Sequence, residues 1–266
     1  MGDAEPTVWS AHSGDSGAPL VVLVHGSMDR SAGLLRVSRF LDRHVLVARY
    51  DRRGYGRSQS LAPGPMSTQV DDLVSVLGGR RAVLIGHSFG GNVCLAAAVA
   101  RPDLVAAVGV HETPLSWEPW WPGNTAGGVA VGLSDDPQRA VEQFMTSMIG
   151  AERWAALPLR TRRARLAEGP AMLAELGDLR HHRPWRAADI TVPVVACRGS
   201  AARAHHVRGT NHLAATVTGA QLEILEGAGH GAPITHPAEF VHHFVRCVLE
   251  RAGPPWAGRI APPGEA

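Results

Sequence analysis

Residues 82–92 read AVLIGHSFGGN, an apolar run followed by Gly86-His87-Ser88-Phe89-Gly90 and more small residues. The apolar run predicts a buried strand, and the residues after it predict a helix. A serine between the two lies on a sharp turn, and a glycine on either side lets neighbouring backbone approach closely. The pattern predicts that Ser88 is a nucleophile raised above the sheet, at a helix N-terminus that favours negative charge.

The regions on both sides of this stretch alternate between strand-like and helix-like patterns. Such alternation is typical of an α/β fold, in which a mostly parallel sheet is flanked by helices. The strands are predicted at 19–25, 44–50, 82–85, 104–110, 192–197 and 221–225, and the helices at 30–41, 67–77, 90–100, 205–217 and 237–250.

The alternation stops between residues 113 and 189, where tryptophans and arginines are frequent and no good strand is found. We expect a helical lid at 113–189, inserted into a core formed by 1–112 and 190–252. Trp117 and Trp121 in the lid are expected to contact substrate, although a lid packed on a sheet needs large apolar residues in any case. Residues 253–266 are rich in proline and glycine, which predicts a loose C-terminal tail.

A serine hydroxyl is a weak nucleophile and needs a base, usually histidine. Among 14 histidines, His230 lies in the glycine-rich segment EGAGHGAP after the last predicted strand, on the same sheet edge as Ser88. We therefore predict His230 as the base; the alternative is a solvent-exposed loop histidine. His87 flanks the nucleophile and is expected at the substrate site. The pairs His181–His182 and His205–His206 are predicted as surface residues or lid contacts, without a metal, because no carboxylate or cysteine stands at ligand spacing.

Attack on a carbonyl creates an oxyanion that needs preorganised donors. The backbone N–H of Phe89, directly after the nucleophile, is the first predicted donor. The N–H of Ser27 is the second, because His25-Gly26-Ser27 ends the first long predicted strand and Gly26 permits close approach. The alternative is that His25-Gly26-Ser27 is only a turn at the end of the strand, which would also favour glycine.

Composition limits the classes of function. The 266 residues are 45% hydrophobic and 19% charged, as in a globular protein. The 26 basic residues are all arginine and are balanced by 24 acidic ones, which argues against a nucleic-acid partner. Three separated cysteines do not suggest disulfides, and neither a signal peptide nor a membrane span is recognisable. A cytoplasmic protein without a cofactor is expected, and the sequence does not indicate its oligomeric state.

Four ordered motifs resemble those of the α/β-hydrolase superfamily, in particular its serine esterases and lipases: His-Gly at 25–26, YDRRGYGRS at 50–58, GHSFGG at 86–91 and AGHG at 228–231. The resemblance extends from about residue 19 to 250. It implies a sheet of about eight strands, a nucleophile-acid-histidine triad and a pocket under the lid. It also implies that Asp51 is structural.

The sequence departs from the family pattern at the acid. The resemblance implies a carboxylate in the loop after the strand at 192–197, but the family position is occupied by Ala202. Some members carry the acid after the preceding strand, where this chain has Glu112. We therefore predict Glu112 as the third member of the triad. The alternative is a glutamate at the lid hinge that forms an ion pair with an arginine.

A serine nucleophile under an apolar lid favours hydrolysis of an ester, lactone or thioester of a small acyl substrate through an acyl-enzyme. Hydrolysis of C–C bonds, acyl transfer and perhydrolysis need much the same triad and stay open. A ligand-binding or signalling protein on a hydrolase scaffold is the alternative from another class.

Overall fold

The computed structural model describes residues 7–261 and contains a central sheet with helices on both faces. Its strands are β1 Ser10–Ser13, β2 Leu20–Val24, β3 Leu46–Tyr50, β4 Ala82–His87, β5 Val105–His111, β6 Val194–Gly199 and β7 Gln221–Leu225. Their order is β1-β3-β2-β4-β5-β6-β7. β1 is antiparallel to β3, and all other neighbours are parallel. The predicted α/β class is confirmed, with seven strands in the described part of the chain where about eight were expected.

The helices carry the chain between the strands and cover the sheet. They are α1 Leu35–Leu41, α2 Met66–Leu77, α3 Phe89–Ala100, α4 Ala126–Val131, α5 Pro137–Ile149, α6 Ala151–Ala156, α7 Leu159–Leu166, α8 Gly169–His181, α9 Ala204–Thr216, α10 Ala232–Thr235, α11 Pro237–Glu239 and α12 Arg246–Ala252. Short 3-10 turns lie at Ser31–Leu34, Gly56–Ser58 and Ala187–Asp189, and a π-helical stretch at Phe240–Val245 joins α11 to α12.

Two apolar cores lie on opposite faces of the sheet, because successive side chains of a strand point to opposite sides. Leu20, Val22 and Val24 of β2 pack in the core with α2, α3 and α9. Val21 and Leu23 pack in the other core, with α1 and the C-terminal helices. Burial on both faces explains why β2 reads as an uninterrupted apolar run.

Helices α4 to α8 lie between β5 and β6, within the segment predicted as the lid. They share a third apolar core, to which Phe144, Trp154 and Met172 contribute. Met28 and Tyr55, from loops that follow β2 and β3, are part of the same core. The inserted helices therefore pack on loops at the carboxyl edge of the sheet.

A buried ion pair fastens the inserted helices to this edge. Arg52, directly beyond β3, lies 2.6 Å from Glu175 of α8, and neither side chain is more than 3% exposed. Tyr55 donates its hydroxyl to the same carboxylate at 2.6 Å. The Arg52 side chain also donates to the backbone oxygen of His25 at 2.9 Å. Loss of one partner would leave a buried charge, at a cost of about 3–5 kcal/mol.

The structure differs from the sequence-based expectations at both ends of the described chain. β1 was not predicted, because its sequence SAHS is polar; it lies on an edge and is only partly buried. The C-terminal segment is not loose up to residue 261: Trp256 and Ile260 are buried, and the Trp256 indole donates to the Leu20 oxygen at 3.0 Å. Residues 262–266 of the predicted tail lie outside the described residues. No helix in the described chain has the length and apolar character needed to cross a membrane.

Candidate active site

The predicted catalytic residues follow the carboxyl ends of neighbouring strands. Ser88 follows β4, Glu112 follows β5, and His230 lies in the loop after β7. Since these strands are parallel, their carboxyl ends meet at one edge of the sheet. The Ser88 N–H donates to the backbone oxygen of His111 at 2.9 Å, which fixes the ends of β4 and β5 side by side.

Ser88 occupies a strained turn between β4 and α3. Its φ of 53° and ψ of −125° are unfavourable for a residue with a side chain. The turn needs glycine on both sides: a Cβ at Gly86 would lie 2.6 Å from the Gly90 oxygen, and one at Gly90 would collide with the Val24 oxygen. The sharp turn at Ser88 therefore requires glycine at positions 86 and 90.

His230 and Glu112 are in hydrogen-bonding contact. His230 Nδ1 lies 2.9 Å from Glu112 Oε2, and the Gly199 N–H donates to Glu112 Oε1 at 3.1 Å. Glu112 is fully buried and adopts a φ of 47°. Burial by itself would raise the pKa of this carboxyl, but the hydrogen bond from His230, the neighbouring imidazoles and the Gly199 N–H lower it overall. A carboxylate thus lies on the Nδ1 side of His230; its role as triad acid stays a prediction.

Other imidazoles surround His230. His87, in contact at a ring-centroid distance of 4.7 Å, donates its Nε2–H to the His230 backbone oxygen at 2.8 Å. His206 of α9 stacks on the ring at 4.5 Å and 16°. His111 lies farther away, at 6.4 Å. Burial lowers the pKa of His87 and His206 well below the usual value for histidine, and that of His111 to about 4. These three rings are therefore neutral at pH 7.

His206 is not a surface residue, which is one of the two expectations for it; as a lid contact it packs edge-on against Trp121 at 5.9 Å. Its side chain is buried against the predicted base. The sequence did carry a signal: His206 lies in the first turn of the helix that follows β6, beside the carboxyl edge of the sheet. Its neighbour His205 is half-buried and packs edge-on against Trp121 at 5.2 Å.

A cavity of about 330 Å³ opens beside Ser88 and His230. Its wall is mostly apolar, with Met28, Trp121, Phe144, Met145, Leu176 and Ile234, and His87 also borders it. Trp117, predicted to contact substrate, is not among its lining residues. That indole instead packs edge-on against Trp185 at 5.3 Å and donates to Glu118 at 2.9 Å. Such a cavity suits a small, mainly apolar ligand.

The two predicted oxyanion donors lie near Ser88. Phe89 is the first residue of α3, so its N–H has no acceptor within the helix. Ser27 borders the cavity, and the backbone before it is close to Ser88: a Cβ at Gly26 would lie 2.9 Å from the Ser88 Cβ. That both N–H groups bind an oxyanion stays a prediction.

The loop that carries Ser27 is held by His25. Its Nε2 accepts a hydrogen bond from the Arg52 N–H at 2.9 Å, so Nδ1 carries the proton and donates to the Gly26 oxygen at 2.8 Å. Burial, with the charge of Arg52, lowers the pKa of His25 well below its usual value, and the ring is neutral. Both ring nitrogens of this buried histidine are thus used in hydrogen bonds to backbone, which hold the loop in place.

Glu112, His206 and His230 are the group within residues 7–261 whose arrangement comes closest to a metal site, with one possible ligand atom each within 4.8 Å of the others. Imidazole binds metals through a lone pair in the plane of its ring. The nearly parallel, stacked rings of His206 and His230 do not direct two such lone pairs at one point. The Glu112–His230 hydrogen bond also occupies Nδ1 of His230 and one carboxylate oxygen of Glu112.

Comparisons with known proteins identify the family of this chain. The alpha/beta hydrolase family matches residues 21–243. A pimeloyl-[acyl-carrier protein] methyl ester esterase of Pectobacterium atrosepticum is 28% identical over 242 residues, 85% of this chain and 92% of that protein. Lipase LipV of Mycobacterium tuberculosis is 37% identical over 98 residues, which are 36% of this chain and 37% of that protein.

Solved structures show the same fold. A thermophilic esterase from Thermogutta terrifontis superimposes with a TM-score of 0.73 at 20% sequence identity, over 92% of this chain and 93% of that one.

Proposed function

This chain belongs to the alpha/beta hydrolase family, and from that premise we propose that it is a serine hydrolase acting through an acyl-enzyme. Its substrate is a carboxylic ester, lactone or thioester with a small apolar acyl group. One observation carries the proposal: a serine on a strained turn borders an apolar cavity together with a histidine that is hydrogen-bonded to a buried carboxylate.

In the first step, Ser88 Oγ attacks the substrate carbonyl carbon while His230 Nε2 takes the hydroxyl proton. The imidazolium keeps its Nδ1–H on Glu112, whose lowered pKa maintains the carboxylate that stabilises this charge. The N–H groups of Phe89 and Ser27 stabilise the negative oxygen of the tetrahedral intermediate.

The intermediate then collapses. The bond from the carbonyl carbon to the leaving oxygen or sulfur breaks, and His230 returns its proton to the leaving group. Water enters, His230 takes one of its protons, and the hydroxide attacks the acyl-Ser88 ester. Release of the carboxylic acid regenerates the serine, whose oxygen recovers the proton from His230.

The cavity and the relatives support the substrate class. The wall around Ser88 is mainly apolar, and its volume of about 330 Å³ suits a short acyl group. One relative, which aligns over 85% of this chain, is a methyl ester esterase. The cavity supports the apolar acyl group, and the relative supports the ester bond.

A pair of serine variants tests the function. The parent should give a burst of p-nitrophenol from a short p-nitrophenyl ester, equal to the enzyme concentration, followed by steady turnover. A fluorophosphonate probe should modify Ser88 alone. Ser88→Ala should abolish both while the protein stays folded by circular dichroism.

Ser116→Ala is the matched control, because Ser116 borders the same cavity without lying on the strained turn. This variant should be labelled and active like the parent. Turnover by Ser88→Ala at the parent rate would overturn the mechanism. A single slow turnover by the parent, with the product tightly retained, would favour a ligand-binding protein instead.

A further inference from the structure

Three contacts hold His230, the candidate base, and two of them are hydrogen bonds. The Glu112 carboxylate contacts Nδ1 at 2.9 Å, and His87 donates to the backbone oxygen at 2.8 Å. Neither contact fixes the plane of the ring. A single hydrogen bond to Nδ1 allows rotation about its own axis, and His230 lies between Gly229 and Gly231 in a loop. Glycine has more backbone conformational freedom than other residues, so these neighbours do not restrict the loop.

His206 provides the third contact, which lies flat on the face of the ring, whereas the ring of His87, 4.7 Å away, is tilted by 43°. The His206 and His230 imidazoles are separated by 4.5 Å between centroids and inclined by 16°. His206 comes from α9, directly after the loop in which Ala202 occupies the position where a carboxylate was expected. In this chain, the element after β6 thus contributes a ring face to the base and β5 contributes the carboxylate.

We propose that His206 is a positioning residue, whose ring face holds the imidazole plane of His230 between Glu112 and Ser88. The role rests on the proposed function. A flat ring against the face of His230 restricts its rotation and keeps Nε2 directed at the serine, which is the geometry that proton transfer requires. The π face also interacts favourably with the positive charge that His230 acquires during attack.

The contact works only while His206 is neutral. A second positive charge at this distance would oppose protonation of the base. The titratable groups that face His230 are Glu112 directly after β5, His111 and His87 from the ends of β5 and β4, and His205 and His206 from α9. Burial, followed by the charge that His230 acquires, lowers the pKa of His206 and keeps it neutral.

The stacking contact between His206 and His230 joins the faces of the two rings and not their nitrogen atoms. His206 Nδ1 is buried and has no hydrogen-bond partner among residues 7–261. If the ring face is what matters, phenylalanine at this position should replace histidine, whereas asparagine, which has a polar group of similar reach and no ring, should not.

Two variants of His206 separate the alternatives. His206 also borders the cavity, so kcat and KM are measured separately. His206→Asn should lower kcat for a p-nitrophenyl ester about tenfold, because the contact acts on the base, and should change KM less than threefold. The rate of Ser88 labelling by a fluorophosphonate should fall in parallel. His206→Phe should restore both rates to within threefold of the parent.

His212→Asn is the matched control on the same helix. Its ring packs against Trp120 at 5.3 Å, and it does not border the cavity. This variant should keep the parent kcat, and thermal unfolding should show that all three variants are folded at the assay temperature.

Two results would overturn the inference. If His206→Asn retains kcat within twofold of the parent, the ring is not needed to position the base. If His206→Phe is as slow as His206→Asn, the residue acts through its nitrogen atoms. Both results compare the variants with an active parent. Failure of the proposed function would be seen differently, because the parent itself would then lack Ser88-dependent turnover.

Discussion

Glu112 and His230 are 118 positions apart in the chain, and their side chains meet with 2.9 Å between Oε2 and Nδ1. The contact depends on parallel strands that end at one edge of the sheet. It also depends on Gly199, where a Cβ would collide with the Ala228 backbone that leads to His230. A carboxylate from β5 thus reaches the histidine although the loop after β6 contains none at the expected position.

Glu112→Gln should lower kcat about 10⁴-fold, the usual effect of replacing a triad acid by its amide. Glutamine keeps the size and an oxygen for the Gly199 N–H, but it loses the charge that stabilises the imidazolium and permits the wrong tautomer of His230. Glu118→Gln is the control, since Glu118 pairs with Arg183 and not with His230. A loss of kcat below tenfold in folded Glu112→Gln would contradict the assignment.

Trp121→Phe should shift the preference of the enzyme towards longer acyl chains, because Trp121 borders the cavity and a smaller ring leaves space. Each methylene newly accommodated adds about 0.8 kcal/mol, or about fourfold in kcat/KM. The measurement is kcat/KM along a series of p-nitrophenyl esters from acetate to octanoate. Trp117→Phe should leave the preference unchanged and affect only thermal stability, since Trp117 packs on Trp185. The same shift in both variants would exclude a specific role for Trp121.

The free energy of unfolding should fall as the pH drops from about 6.5 towards 4. Burial lowers the pKa of His25, His87, His111 and His206 below about 6.5, the value for an unfolded chain, and the pKa of His111 reaches about 4. In this interval the unfolded chain binds protons that the folded chain excludes. Each such histidine therefore costs up to about 1.4 kcal/mol per pH unit. Above pH 7 this cost disappears.

His111→Leu tests the pH dependence. Both ring nitrogens of His111 are buried without a hydrogen-bond partner in the described chain, so leucine should also stabilise the protein by about 1 kcal/mol at neutral pH. Urea unfolding at pH 7.5, 6 and 5 should show a smaller loss of stability on acidification than in the parent. An unchanged slope would mean that His111 does not remain neutral in the folded state.

Gly26→Ala should lower kcat at least tenfold with little change in fold. The added methyl group would lie 2.9 Å from the Ser88 Cβ and 3.4 Å from its Oγ, and would displace the nucleophile or the Ser27 N–H. Gly123→Ala is the control, because a Cβ there contacts nothing within 4 Å. Normal kcat in Gly26→Ala would show that this backbone tolerates movement and does not define the oxyanion site.

The sequence predicted most strands, because most of them carry apolar runs. Six of the seven were anticipated within two residues at each end, including β7, whose sequence QLEIL is only partly buried. β1 was missed because an edge strand of polar residues has no such run. The buried C-terminal residues were missed for a related reason: Trp256 stands alone among prolines and glycines, and its burial depends on a partner 236 positions away.

At the site, sequence patterns placed residues on an edge but could not orient helices packed over it. Trp117 and Trp121 are four positions apart and equally apolar, yet only Trp121 borders the cavity. His206 was expected to be a surface residue or a lid contact, because it stands in a pair with His205 on a helical stretch. Its burial comes from contact with His230, which is distant in sequence. These differences are decided by tertiary packing.

Three non-glycine residues in the described chain have a left-handed φ, and all three lie at this site: Met28 at 58°, Ser88 at 53° and Glu112 at 47°. Each such residue costs about 1–3 kcal/mol, a noticeable share of the roughly 5–15 kcal/mol that keeps a domain folded. Selection for heat resistance alone should therefore favour glycine or asparagine at these positions. A descendant changed at Ser88 or Glu112 in that way would lose the serine hydroxyl or the carboxylate, so laboratory evolution of this protein needs a simultaneous screen for turnover.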